Sequence, residues 1–171
     1  MLYFQKPGTA EAELEADVRK TMGIFLYSSS GDPPPEKRWR YLFGKSEKFL
    51  DTGSLPETLP AWLTERDLDY FTREFERTGF RGGLNWYRNI DRNWELTPFL
   101  KDVKLRQPGL FIAGEFDPVV AMNRKAFNTL EKAMPDLRKK VLLPGAGHWI
   151  QQERPTEVNQ LLIEFLTNLT P

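Results

Sequence analysis

The chain contains no cysteine, and its 171 residues include a single histidine, His148. Without thiols there is no disulfide framework, no thiolate nucleophile and no zinc–thiolate site, and one imidazole cannot build a histidine-rich metal centre. Nothing in the sequence calls for a cofactor. Charge of one sign is also missing: Lys+Arg and Asp+Glu number 24 each, a formal net charge of zero. The electrostatic footprint of a nucleic-acid binder is therefore absent. No apolar run approaches the roughly 18 residues of a membrane span, and no basic-then-apolar signal pattern opens the chain. A soluble, cytoplasmic protein is expected. Finally, no Gly-x-Ser-x-Gly or Gly-x-Asp-x-Gly turn occurs, the sharp strand-to-helix turn that presents a nucleophile.

The rest of the composition is globular, with 40% apolar and 28% charged residues, and the length suits one domain or one and a part. The first half reads as helices and loops. A helix is predicted over 9–27 from Leu14, Val18, Met22 and Phe25 at helical spacing. Breaker residues make 28–35 a loop, and 39–63 is a long aromatic- and proline-rich connection. Thr64 with Asp67 is a capping-box start for a helix carrying Leu68, Phe71 and Phe75 and ending near Gly79. A turn over 80–83 leads to a predicted helix over 84–94, with Trp86, Tyr87, Ile90 and Trp94 on one face. The second half alternates short apolar strands, 110–113 and 141–143, with helices over 124–137 and 156–169. This is the βαβα pattern of a parallel sheet covered by helices. The last helix carries a stripe of Val158, Leu161, Leu162, Phe165 and Leu166.

Chemistry concentrates at the ends of the two strands. One runs through Leu110-Phe-Ile-Ala-Gly-Glu-Phe-Asp117 into an acid, and the other through Val141-Leu-Leu-Pro-Gly-Ala-Gly-His148 into the histidine. Each residue also has a plainer role open to it. His148 can be a polar residue at a strand end, and Asp117, before Pro118, a turn or cap residue. Tyr87 can be part of an aromatic core stripe, and Trp149 a packing residue. Arg88 and Arg92 read as a solvated or salt-bridging face, and Glu115 as an exposed acid. Ser46 and Ser54 lie in loop-like sequence with no strand before them. Gly44-Lys-Ser46 has the tail of a phosphate-binding loop, but Trp39 stands where its first glycine is needed.

Together these strings resemble the epoxide hydrolases of soluble type, within the α/β-hydrolase superfamily. The most specific is Gly79-Phe-Arg-Gly-Gly-Leu-Asn-Trp-Tyr-Arg-Asn89, which resembles the family's lid segment with a catalytic tyrosine. Gly147-His-Trp149 through Pro155-Thr-Glu-Val-Asn159 resembles its histidine loop and last helix, and Tyr3-Phe-Gln-Lys-Pro-Gly8 the start of the lid. The resemblance implies a partial α/β-hydrolase fold, with a helical lid over 1–100 and the last two strand–helix units of the core over 101–171. It also implies an N-terminal half, not present here, that holds the oxyanion loop and a nucleophilic aspartate. In the implied mechanism the aspartate opens the epoxide to an ester and lid tyrosines hydrogen-bond the departing oxygen. A water activated by histidine then hydrolyses the ester. His148 would be the base, Asp117 its orienting acid and Tyr87 the oxygen-polarising donor, with Trp86 and Trp149 near the substrate. The second lid tyrosine of the family is not assigned to Tyr3. The implied substrate is a small apolar epoxide, and the chain alone is expected to be inactive. Two core strands leave an edge and an apolar face open, so the chain is expected to self-associate or to take an N-terminal half as partner. Two other readings remain open: a haloalkane or fluoroacetate dehalogenase part, and a non-catalytic binding or dimerisation module.

Overall fold

In the computed structural model, which describes residues 2–41, 44 and 47–169, three helices open on a side-chain acceptor, at Asp17, Thr64 and Asp117. Ser46, one of the two serines weighed as nucleophiles, lies outside the described residues. The chain divides into two compact units, one drawn from 1–28 and 33–98, the other from 29–32 and 99–171. That 29–32 leave their neighbours to join the second unit has no signal in the breaker-rich loop over 28–35.

The first unit opens with helices α1 (Leu2–Gln5), α2 (Thr9–Leu14) and α3 (Val18–Ser28). The single helix predicted over 9–27 is thus two helices. The Thr21 hydroxyl donates to the Leu14 carbonyl at 2.8 Å, closing α2. The Asp17 carboxylate accepts the Lys20 N–H at 2.9 Å, opening α3 as an N-cap. Helix α4 (Glu65–Thr78) starts at the expected capping box: Thr64 Oγ1 accepts the Asp67 amide at 3.2 Å, and Asp67 Oδ2 accepts the Thr64 amide at 3.0 Å. It ends at Gly79, whose φ of 68° suits glycine. α3 packs on α4, and Arg19 of α3 pairs with Glu65 and Asp69 of α4. The aperiodic connection over 39–63 has a physical role that periodicity cannot show. Trp39 and Phe49, with centroids 4.8 Å apart, join Phe25 and Phe4 in one aromatic cluster, and Trp39 Nε1 donates to Thr52 Oγ1 at 2.7 Å.

The turn predicted over 80–83 and the helix over 84–94 are in fact α5 (Arg81–Arg88) and α6 (Ile90–Leu96), which meet at Asn89. Gly82 and Gly83 lie within α5. The Asn89 side chain donates to the Asn85 carbonyl at 2.8 Å, on the acceptor that its own backbone N–H also uses at 3.1 Å, a side-chain bond of the kind that bends and weakens helices. The aromatic stripe expected on one face is outside the core of this unit: Trp86 is 77% and Trp94 83% exposed. Leu84 is the buried residue of α5.

The second unit has strands β1 (Gly109–Gly114) and β2 (Leu137–Leu143), paired in parallel from Leu110 opposite Lys139 to Gly114 opposite Leu143. Both strands are longer than the apolar runs that signalled them. Between them lie α7 (Pro118–Met122), which was not expected, and α8 (Arg124–Asn128) and α9 (Leu130–Ala133), two short helices in place of the one expected over 124–137. The interruptions fall at Asn123 and Thr129, whose side chains donate to the carbonyls of Val119 at 2.9 Å and Lys125 at 3.0 Å. This is the chemistry seen at Asn89. α10 (Ile150–Glu153) and α11 (Pro155–Thr167) close the unit. Leu143, Ala146, Ile150 and Val158 form its core, with Ile112, Val141 and Leu161 against it. Of the predicted α11 stripe only Val158 is fully buried, while Leu162 and Leu166 face outward.

Candidate active site

Both polar strand ends lie in the second unit. β1 leads through Glu115 and Phe116, whose amides donate to the carbonyls of Leu143 at 3.0 Å and Ala146 at 2.9 Å. These bonds tie the acid-bearing loop to the histidine-bearing one. Asp117 then caps α7: its Oδ1 accepts the Val119 N–H at 2.7 Å, and Pro118 sits in the first turn. The cap reading of Asp117 is therefore correct, yet it uses one oxygen only.

The other oxygen meets His148. From β2 the chain turns at Gly145 and passes Ala146 and Gly147 pressed against neighbouring backbone. A Cβ on Gly147 would lie 2.3 Å from the carbonyl carbon of Ser30, and one on Gly114 would lie 2.1 Å from the Gly147 oxygen. Only glycine lets these three segments approach so closely. The His148 amide donates to the Ser29 carbonyl at 2.8 Å, and its Nδ1 stands 3.2 Å from Asp117 Oδ2. The imidazole side chain is 38% exposed and the carboxylate 12%.

Electrostatics follow from this geometry. Burial pushes the Asp117 carboxyl up, but the hydrogen bond from His148 and the Val119 and Val120 amides outweigh it, and the net shift is downward. The hydrogen bond to Asp117 raises the His148 pKa against the opposing effect of burial, and the negative charges of Asp117 and Glu153 add to the rise. An ionised Asp117 favours the tautomer with the proton on Nδ1 and leaves Nε2 free to accept one.

One contributor escaped the sequence reading. Glu153, at the end of α10, accepts the amides of Gly31 and Gly147 at 2.8 Å on one carboxylate oxygen and that of Trp149 at 2.9 Å on the other. The available signal was an acid five residues after the histidine. Trp149 packs its ring edge-on to the imidazole at 4.8 Å, and its buried Nε1 has no hydrogen-bond partner among the described residues. Glu115 is exposed as expected and accepts the Gly145 amide at 3.0 Å.

Tyr87 and Trp86 belong to α5 in the first unit. The Tyr87 ring lies 5.1 Å from that of Phe4, and its backbone carbonyl accepts from Gln5 Nε2 at 3.0 Å. Next to it, Arg88 pairs with Glu11 at 2.7 Å and donates from Nε to the Phe4 carbonyl at 2.8 Å. The salt-bridging expected of Arg88 is thus real, though both side chains are largely buried rather than solvated. The hydrogen bond from Arg88 lowers the Glu11 pKa to about 2. The Tyr3 hydroxyl donates to Glu13, and burial together with that carboxylate raises its pKa.

A βαβα frame with an acid after one parallel strand and a histidine after the next is the arrangement of an α/β-hydrolase. No family model matches the chain, but individual relatives do. It is 44% identical over 169 residues to Epoxide hydrolase A of Mycobacterium tuberculosis, covering 99% of this chain and 52% of that protein. It is 37% identical over 170 residues to Epoxide hydrolase 2 of Siraitia grosvenorii, covering 95% and 51%. Among solved structures, Epoxide Hydrolase A from Mycobacterium thermoresistibile is 47% identical with a TM-score of 0.88, covering 99% of this chain and 52% of that one. An epoxide hydrolase from an endophytic Streptomyces is 42% identical with a TM-score of 0.91, covering 96% and 50%. The chain belongs to the epoxide hydrolases of the α/β-hydrolase fold, and it spans about half the length of the relatives it matches.

Proposed function

We propose that the chain is the lid- and histidine-bearing part of an epoxide hydrolase, acting on small apolar epoxides with a nucleophilic aspartate supplied from outside its sequence. In this reading residues 1–100 form the lid and 101–171 the last part of the core. The aspartate attacks an epoxide carbon, the C–O bond breaks, and the Tyr87 hydroxyl donates to the oxygen as it becomes an alkoxide. His148 Nε2 then takes a proton from water, and the resulting hydroxide attacks the ester carbonyl. The ester C–O bond breaks, the carboxylate is restored, and the proton held on His148 passes to the diol oxygens, so that one water is consumed per epoxide and the imidazole is neutral again. Asp117 holds the imidazole in the required tautomer and stabilises its charged form. Trp86 and Trp149 are assigned to the substrate's surroundings.

The observation that supports this most is the contact between His148 Nδ1 and Asp117 Oδ2 at 3.2 Å. A polar strand-end histidine has no need of a buried carboxylate that points its other nitrogen away. The names of the relatives support the substrate class. The sequence holds no Gly-x-Ser-x-Gly or Gly-x-Asp-x-Gly turn, so we assign no turnover to the chain by itself. A cytoplasmic location belongs to the same reading.

The test is hydrolysis of a chromogenic epoxide by the purified chain, alone and mixed with the complementary half of a relative. Turnover only on mixing, lost with His148→Gln, is the expected result. Turnover by the chain alone overturns the proposal, because a nucleophile would then lie within it.

A further inference from the structure

We infer that Glu153 is the positioning residue of His148, gathering three backbone amides around the histidine so that its imidazole meets Asp117 in one orientation; this rests on the reading of the Asp117–His148 pair given above. The amides are those of both neighbours of His148, Gly147 at 2.8 Å and Trp149 at 2.9 Å, and of Gly31 at 2.8 Å. Gly31 lies two residues after Ser29, whose carbonyl takes the His148 N–H at 2.8 Å. The histidine backbone is therefore held on both flanks by one carboxylate and in the middle by a segment that the same carboxylate anchors.

The chemistry calls for a glutamate. Gly31 and Gly147 share one oxygen and Trp149 takes the other, so both oxygens must be acceptors. Gln has one acceptor oxygen and would turn an N–H₂ group toward N–H donors. Asp is a methylene shorter and cannot span the same three amides from the end of α10. Hydrogen bonds to an ionised carboxylate are also about twice as strong as neutral ones. The charge has a second effect. Asp117 and Glu153 are the negative groups acting on the imidazole, and both favour its protonated form.

Because His148 is the only histidine in the chain, long-range ¹H–¹⁵N spectra of the full chain read its tautomer and titration without ambiguity and without turnover. The wild type is expected to show a protonated Nδ1, a bare Nε2 and a midpoint above the ordinary value of about 6.5. In Glu153→Gln the two tautomers should mix and the midpoint should fall, while β1 and β2 amides stay protected from exchange. Glu153→Asp, which keeps the charge but not the reach, should also mix the tautomers. If the Gln variant fails to fold, the Asp variant decides by the same criterion. Variants that keep the wild-type tautomer and midpoint while the Gly31, Gly147 and Trp149 amides shift would make Glu153 a loop brace only and overturn the inference. Asp117→Asn separates the two levels: an unchanged tautomer there defeats the Asp117–His148 reading itself, whatever Glu153 does.

Discussion

His148 Nδ1 and Asp117 Oδ2 stand 3.2 Å apart at the ends of two adjacent parallel strands, and their titrations define a pH window for the second unit. The folded pKa of Asp117 is depressed, so its contribution is present above the unfolded value and lost as pH falls through the folded one. The folded pKa of His148 is raised, so its contribution is full below the unfolded value and lost as pH rises through the folded one. Stability from the pair is expected to peak between the two titrations. The amplitude should be about 1 kcal/mol or less, because the imidazole is partly exposed and solvent screens it. Asp117→Asn should flatten both arms. Melting temperatures of the two chains across pH check this, and an unchanged profile would contradict it.

The first unit carries its own pair. Arg88 and Glu11 are 12% and 13% exposed at their side chains, and Arg88 also holds the Phe4 carbonyl beside Tyr87. Arg88→Ala should lower the melting temperature by several degrees and release α1 from α5. Arg88→Lys should recover only part of the loss, since a point charge cannot make the forked contacts of a guanidinium. The Glu11 carboxyl, depressed to about 2, adds stability that is full above its ordinary pKa and is lost as pH falls from there through the folded value. Thermal melts between pH 2 and 5 in the wild type and in Glu11→Gln, read by far-UV dichroism, check both points (roughly the range over which a depressed carboxylate titrates).

What could be read from the sequence was what rests on local chemistry. The Thr64–Asp67 capping box, the two short strands and the final helix each have a signal within a few residues. The helix breaks at Asn89 and Thr129 were missed because apolar spacing continues across them, although at each the side chain donates to the i−4 carbonyl; α7 was missed because five residues are too few to show a period. Asp117 and His148 were legible as strand-end residues, although their contact needs the parallel register to bring them together. Glu153 was not legible, because its function is to bind backbone amides, one of them 122 residues away in sequence. A sequence does not display where its own N–H groups will lie.

Apolar side chains remain uncovered in each unit. Trp86, Trp94 and Leu96 are exposed in the first, and Leu162, Ile163 and Leu166 on α11 in the second. Uncovered faces of this kind drive association, and a two-stranded sheet offers edges for pairing. Sedimentation velocity of the purified chain should show concentration-dependent self-association, reduced by Leu162→Glu together with Leu166→Glu. A monodisperse monomer that melts cooperatively would mean that these faces are tolerated by a stable isolated chain.

In the proposed mechanism Tyr87 is where epoxide chemistry and its nearest alternative part. Opening an epoxide leaves charge on an oxygen still attached to the substrate, so a donor must be aimed at that oxygen. A dehalogenase releases halide and does not need the phenol at this position. Tyr87→Phe keeps the ring against Phe4, at 5.1 Å in the wild type, and should leave the melting temperature unchanged. In the chain complemented by the corresponding half of a relative, loss of one such donor should lower kcat for epoxide hydrolysis by about 10²–10³-fold. The second lid tyrosine implied by the family would supply what activity remains. Stopped-flow measurement of ester formation places the defect: the first step should slow, while hydrolysis of the accumulated ester, the step the proposed mechanism gives to His148, should not. A variant with wild-type ester formation would remove Tyr87 from the mechanism and return it to the role of an exposed aromatic on α5.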